Sequence, residues 1–185
     1  VIAVSLGGLG RFAGLSSAHL LLFQVLLMAR IPSVERRVGH DRLARWHRWI
    51  GFASFLLLIV HVGLAVATHG NVVDLVLRWP GMLPAAGALA AIVLVVVTSV
   101  RAARRRLRYE SWHLLHLYAY LGVALALPHE LWSGSDFVRS PAARVYWQGL
   151  YLLAAGSVLV FRIGLPLWRT LRHGLRVDRV TPEAH

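Results

Sequence analysis

His47–His69 reads HRWIGFASFLLLIVHVGLAVATH. After Arg48 it holds no charged residue, and the run Trp49–Thr68 is close to the ~20 residues that a helix needs to cross roughly 30 Å of hydrocarbon. Histidines stand near both ends of this run. His47 and His61 are 14 residues apart, a rise of roughly 21 Å that returns the side chains to within about 40° of one helix face. Ionisable groups at membrane depth are costly, usually face the interior of a bundle, and mark function. The stretch therefore predicts a transmembrane helix with two polar sites stacked along one side.

Working outward, similar uncharged runs occur at Phe12–Ala29, Trp79–Val100, Ser111–His129 and Val145–Phe161. Five spans follow. Of the 185 residues 57% are hydrophobic and 15% charged, with mean hydropathy +0.61, so the fold class is an all-α membrane bundle. A soluble domain of this length has no room to bury five helices around their whole circumference.

The net charge of +12 is carried by arginine, since lysine is absent. Sixteen of the 20 arginines fall in Arg30–Arg48, Arg101–Arg108 and Arg162–Arg179, while Arg11, Arg78, Arg139 and Arg144 stand apart. The two groups alternate along the chain like opposite sides of a membrane, which argues against nucleic acid as a partner. By the positive-inside rule it places the Arg-rich connections and the C-terminus in the cytoplasm of a plasma (inner) membrane protein. The chain has no cysteine, which excludes disulfides, iron–sulfur clusters and covalent haem attachment.

The first span is expected from about Arg11 to Arg30, the second from Asp41, as N-cap, to His69. The third runs from Trp79 to Arg101, the fourth from Tyr109–Glu110 to Ser133, and the fifth from Pro141 towards Trp168. Residues 1–10 read as the remnant of a sixth, upstream helix or an outer loop, and 11–172 as the transmembrane domain. In the tail, 173–185, Leu175–Val180 alternates apolar and polar as a strand does, so a cytoplasmic β domain is expected to begin there.

The second helix presents His47 and His61, and the fourth His113, His116 and His129. His116 and His129 are 13 residues apart, roughly 19.5 Å. Both helices run in the same direction, so His47 meets His116 near the cytoplasm and His61 meets His129 near the outside. Two imidazoles at each level suit the axial positions of two b-type haems and leave none for substrate, which implies outer-sphere electron transfer. Ideal geometry puts His116 and His129 about 140° apart around their helix, with Pro128 able to distort the turn between them. His113 lies one turn from His116, as a propionate or supporting contact. Arg45 and Arg48 flank His47 as propionate forks or as topology signals. Gly51, one turn on, would let a porphyrin approach the backbone.

At Arg45-Trp46-His47-Arg48-x-x-Gly51, with ten residues to His61, and at Tyr109-Glu110-Ser111-Trp112-His113-x-x-His116 with His129 beyond, the chain resembles the ferric reductase-like transmembrane domain of ferric reductases and NADPH oxidases. The resemblance implies six helices, two haems, and a C-terminal module of the ferredoxin-reductase type binding FAD and NAD(P)H, of which the tail would be the start. It also implies electron flow from NAD(P)H through FAD to the inner and then the outer haem, and out to a ferric chelate, oxygen, a quinone or a redox protein. Oxidases of the family carry a His one turn past the outer ligand of the second helix, where this chain has Ala65. They pair it with an arginine on the preceding helix, which Arg11 resembles; Arg11 is accordingly the candidate at the outer acceptor site. Relatives place an aromatic where this chain has Gly122, and Phe55 is the candidate to fill that gap. Two other readings compete: a membrane cytochrome b fed by quinol or a partner protein, and a histidine-based proton channel or transporter.

Overall fold

The computed structural model describes residues 5–133 and 140–174, all helix and connecting turns. The strand expected at Leu175–Val180 and the first four residues lie outside them. The elements are α1 (Leu6–Leu27), α2 (Pro32–Val38), α3 (His40–His69), α4 (Val72–Arg78), α5 (Met82–Ser99), α6 (Arg101–Arg104), α7 (Tyr109–Ser133), α8 (Pro141–Ser157), a π-helical segment (Val158–Gly164) and α9 (Leu165–His173). Five helices are long and apolar enough to cross a membrane: α1, α3, α5, α7 and the continuous helix Pro141–His173.

Helix ends follow local chemistry. The Ser5 side chain accepts from Gly8 N–H and starts α1 at Leu6, several residues before the expected Arg11. Gly39, at φ +86, rather than Asp41, precedes the first residue of α3, which leaves Asp41 in the first turn, where a carboxylate favours the helix dipole. Gly70, at φ +73, closes α3 in a backbone conformation that suits glycine, and Asn71 then caps the short α4 through bonds from Val73 and Asp74 N–H. Neither α2 nor α4 was expected from the apolar runs. Pro166 lacks an N–H and crowds the carbonyl four residues back, that of Arg162. The ladder shifts there, and Leu165 N–H bonds Val160 five residues back.

Two antiparallel pairs make up the bundle. In the first, α1 closes on α3 through small residues: Ser17 and Ser54 are each 1% exposed, and Ser17 Oγ donates to the Ser54 carbonyl at 2.8 Å. Gln24 Nε2 donates to Ser54 Oγ at 3.1 Å. Small side chains let the backbones approach, and the interhelical hydrogen bonds fix their register. In the second pair, Gly122 lets α7 close on α5, since a Cβ there would come within 2.9 Å of Ile92 Cδ1. The fifth span packs along α1 through a core of Ala18, Leu22, Trp147 and Ala154, and Arg162 Nη1 reaches the Met28 carbonyl at 3.3 Å and Tyr120 Oη at 3.1 Å. Mid-helix leucines such as Leu56 (65% exposed) and Leu152 (73%) face outward, a surface suited to lipid tails.

Candidate functional site

Four histidines meet between the pairs. The His47 and His116 ring centroids lie 5.9 Å apart, and those of His61 and His129 lie 6.2 Å apart. Pairing 47 with 116 and 61 with 129 means that α3 and α7 run parallel. Their backbones barely approach each other, so the rings reach across a slot.

That spacing is compatible with a shared metal ion. A metal ion about 2 Å from each of two opposed imidazole nitrogens sets the ring centroids roughly 6 Å apart. Among the described residues no three or more His, Cys, Asp or Glu gather as a metal cage. Each level thus offers two imidazoles, the donor set that the sequence expectation of a haem requires.

The surroundings orient the rings. His61 Nδ1 is 2.8 Å from the Gly10 carbonyl; a carbonyl only accepts, so Nδ1 carries the proton and Nε2 keeps the lone pair. Gly14 makes room for that ring, since a Cβ at Gly14 would lie 2.7 Å from His61 Nδ1. On the other helix pair, His116 Nδ1 and Ser99 Oγ are 3.2 Å apart. His47 Nδ1 is buried without a hydrogen-bond partner among the described residues. Gly81, at φ +78, brings the start of α5 against α7 where Pro128 meets His129; a Cβ there would be 2.6 Å from His129 N. The site thus rests on Gly10, Gly14, Gly81 and Ser99, none of which the histidine spacing singles out.

The other candidate residues are placed as follows. His113 turns from the slot and stacks on Tyr109, centroids 5.9 Å apart and 8° from parallel. Trp112 lies 5.1 Å from His116, under the Arg104 guanidinium at 4.5 Å, with its indole N–H buried and unpartnered among the described residues. Arg45 and Arg48 are exposed beside His47 and have no ion-pair or hydrogen-bond partner among the described residues. Gly51 faces α1: a Cβ there would come 3.0 Å from Gln24 Oε1. The missing side chain leaves room for the Gln24 side chain. Arg11 is exposed and follows Gly10, at the depth of the His61 pair. Glu130, next to His129, accepts a hydrogen bond from Tyr151 Oη at 3.1 Å.

No curated protein and no solved structure matches the chain. The family described as Ferric reductase like transmembrane component matches residues 13–127, a stretch that holds His47, His61, His113 and His116 and ends just before His129. With more than half of its length matched, the chain belongs to the ferric reductase-like transmembrane family.

Proposed function

We propose that this chain carries electrons across the membrane through two b-type haems, one held by His47 and His116 and the other by His61 and His129. The observation that supports this most directly is the pair of ring separations, 5.9 and 6.2 Å, at two depths between parallel helices. Haem bound at each level supplies one-electron redox chemistry. The chain would hold each haem through two imidazoles, which suits electron transfer rather than binding of substrate to the iron. The Gly10 carbonyl fixes the His61 tautomer and ring orientation. Arg45 and Arg48 offer guanidinium forks to carboxylates beside His47. FAD and NAD(P)H, bound in a C-terminal module, are the proposed electron source, with the acceptor at the outer face. A proton relay finds less support, because the apolar run Ile50–Val60 separates the two levels and its one hydroxyl, Ser54, is engaged with α1.

The purified protein should contain two haems per chain, both extractable by acid–acetone because no cysteine tethers them. Pyridine haemochrome measures this: a ratio of one would remove one of the two sites, and haem that resists extraction would contradict the b-type assignment.

Arg11 is proposed to hold an anionic acceptor, or the outer haem's propionate, on the side away from Arg45 and Arg48. Neither role makes it an iron ligand, so Arg11→Ala should leave both haems bound. A guanidinium at a partly desolvated anion site contributes about 1.5–3 kcal/mol, so reduction of the outside acceptor should slow roughly ten- to a hundredfold. Stopped-flow reduction of several acceptors checks this, and an unchanged rate with all of them would place the exit site elsewhere.

A further inference from the structure

Away from the histidines, a cavity of about 440 Å³ opens at the Arg-rich end of the bundle, lined by Arg30, Pro32, Glu35, Phe161, Arg162, Leu165, Pro166 and Arg169. Two irregularities of the backbone converge on it. Arg30, at φ +64, is the one non-glycine with positive φ among the described residues, a conformation that L side chains adopt only at a cost. Arg162 lies in the π-helical segment, an element frequent at functional positions. The cavity's single carboxylate is already engaged, with Glu35 Oε1 3.3 Å from Arg30 and 3.1 Å from His40 Nδ1. Arg162 commits only Nη1, to Met28 and Tyr120, and Arg169 has no partner among the described residues. Three guanidiniums thus face one compensated carboxylate.

The surroundings point to the source of the missing anion. In α9, the end of the fifth span, Leu167, Trp168 and Leu171 are exposed beside Arg169 and Arg172, the composition of a helix end at headgroup level. Phe161 and Leu165 give the cavity an apolar wall beside its cations. Basic pockets between transmembrane helices on the cytoplasmic side suit anionic headgroups. We infer that this cavity binds one phosphate group, that of an anionic phospholipid, between Arg30, Arg162 and Arg169. This inference does not depend on haem.

The test is native mass spectrometry of the full-length protein titrated with dioctanoyl phosphatidylglycerol, with dioctanoyl phosphatidylcholine and inorganic phosphate in parallel. One phosphatidylglycerol should bind per chain, at least tenfold more tightly than phosphatidylcholine. Arg30→Gln/Arg169→Gln should weaken it at least tenfold, and Arg169→Gln alone should weaken it measurably without breaking a hydrogen bond or ion pair among the described residues. Arg105→Gln/Arg106→Gln removes the same charge from exposed residues outside the cavity and should change affinity less than threefold. Saturable phosphate binding with the same arginine dependence would keep the site and make the free anion its occupant. Equal losses in the two double variants, or none in either, would overturn it.

Discussion

His116→Ala should leave one haem per chain, whereas His113→Ala should leave two. The two histidines lie one turn apart on α7, but only the His116 ring faces His47, at 5.9 Å, while His113 stacks on Tyr109. Removing one imidazole of the pair would leave a single histidine to hold the group, and no third His, Cys, Asp or Glu gathers with the pair among the described residues. His61→Ala should empty the outer site in the same way and abolish delivery to the outside acceptor while the inner haem remains reducible. Pyridine haemochrome stoichiometry, with the low-spin signals in electron paramagnetic resonance, reads all three variants. Loss of a haem in His113→Ala with two retained in His116→Ala would reverse the ligand assignment.

Gly14→Ala should weaken the outer site although Gly14 ligates nothing. The added Cβ would sit 2.7 Å from His61 Nδ1 and 2.9 Å from Cε1, closer than real contacts allow, so the ring must turn and give up the Gly10 carbonyl. Disturbing the group that orients a metal-bound histidine typically costs ten- to a hundredfold in affinity. Haem titration of the apoprotein should therefore show one site weakened by that factor and the other unchanged. Gly7→Ala on the same helix meets nothing within 4 Å and serves as the control. Equal affinities in Gly14→Ala and Gly7→Ala would mean that α1 does not position His61.

What the sequence makes legible here is depth. Uncharged runs locate the five spans, and the separations of His47 from His61 and of His116 from His129 place the rings at two levels, because rise per residue is nearly constant. Azimuth is harder, since it accumulates error with every residue and is reset by irregularities. The expected 140° mismatch on α7 spans Pro128, which interrupts the ladder one residue before His129 where Gly81 crosses. Gly51 shows the same dependence on azimuth: one turn from His47, it lies beside Gln24, a neighbour that spacing along the chain does not announce. Gly10, Gly14 and Ser99 act through partners distant in sequence, so no local pattern announces them. The π-helical segment follows from Pro166, a residue legible in itself, whose effect depends on the helix continuing through it.

The weak direct contact between α3 and α7 bears on how the protein is made. Each is firmly joined to its own antiparallel neighbour, α1 or α5, and across the slot they meet chiefly through imidazole rings. A ligand that binds both halves only in the closed arrangement stabilises that arrangement by mass action. Iron porphyrin would then act as an assembly factor as well as a conductor, and half-clasped chains would be prey to membrane proteases. Cellular supply of the prosthetic group would set the abundance of the protein, so pulse-chase half-lives in cells starved of haem precursor should shorten without any change in synthesis.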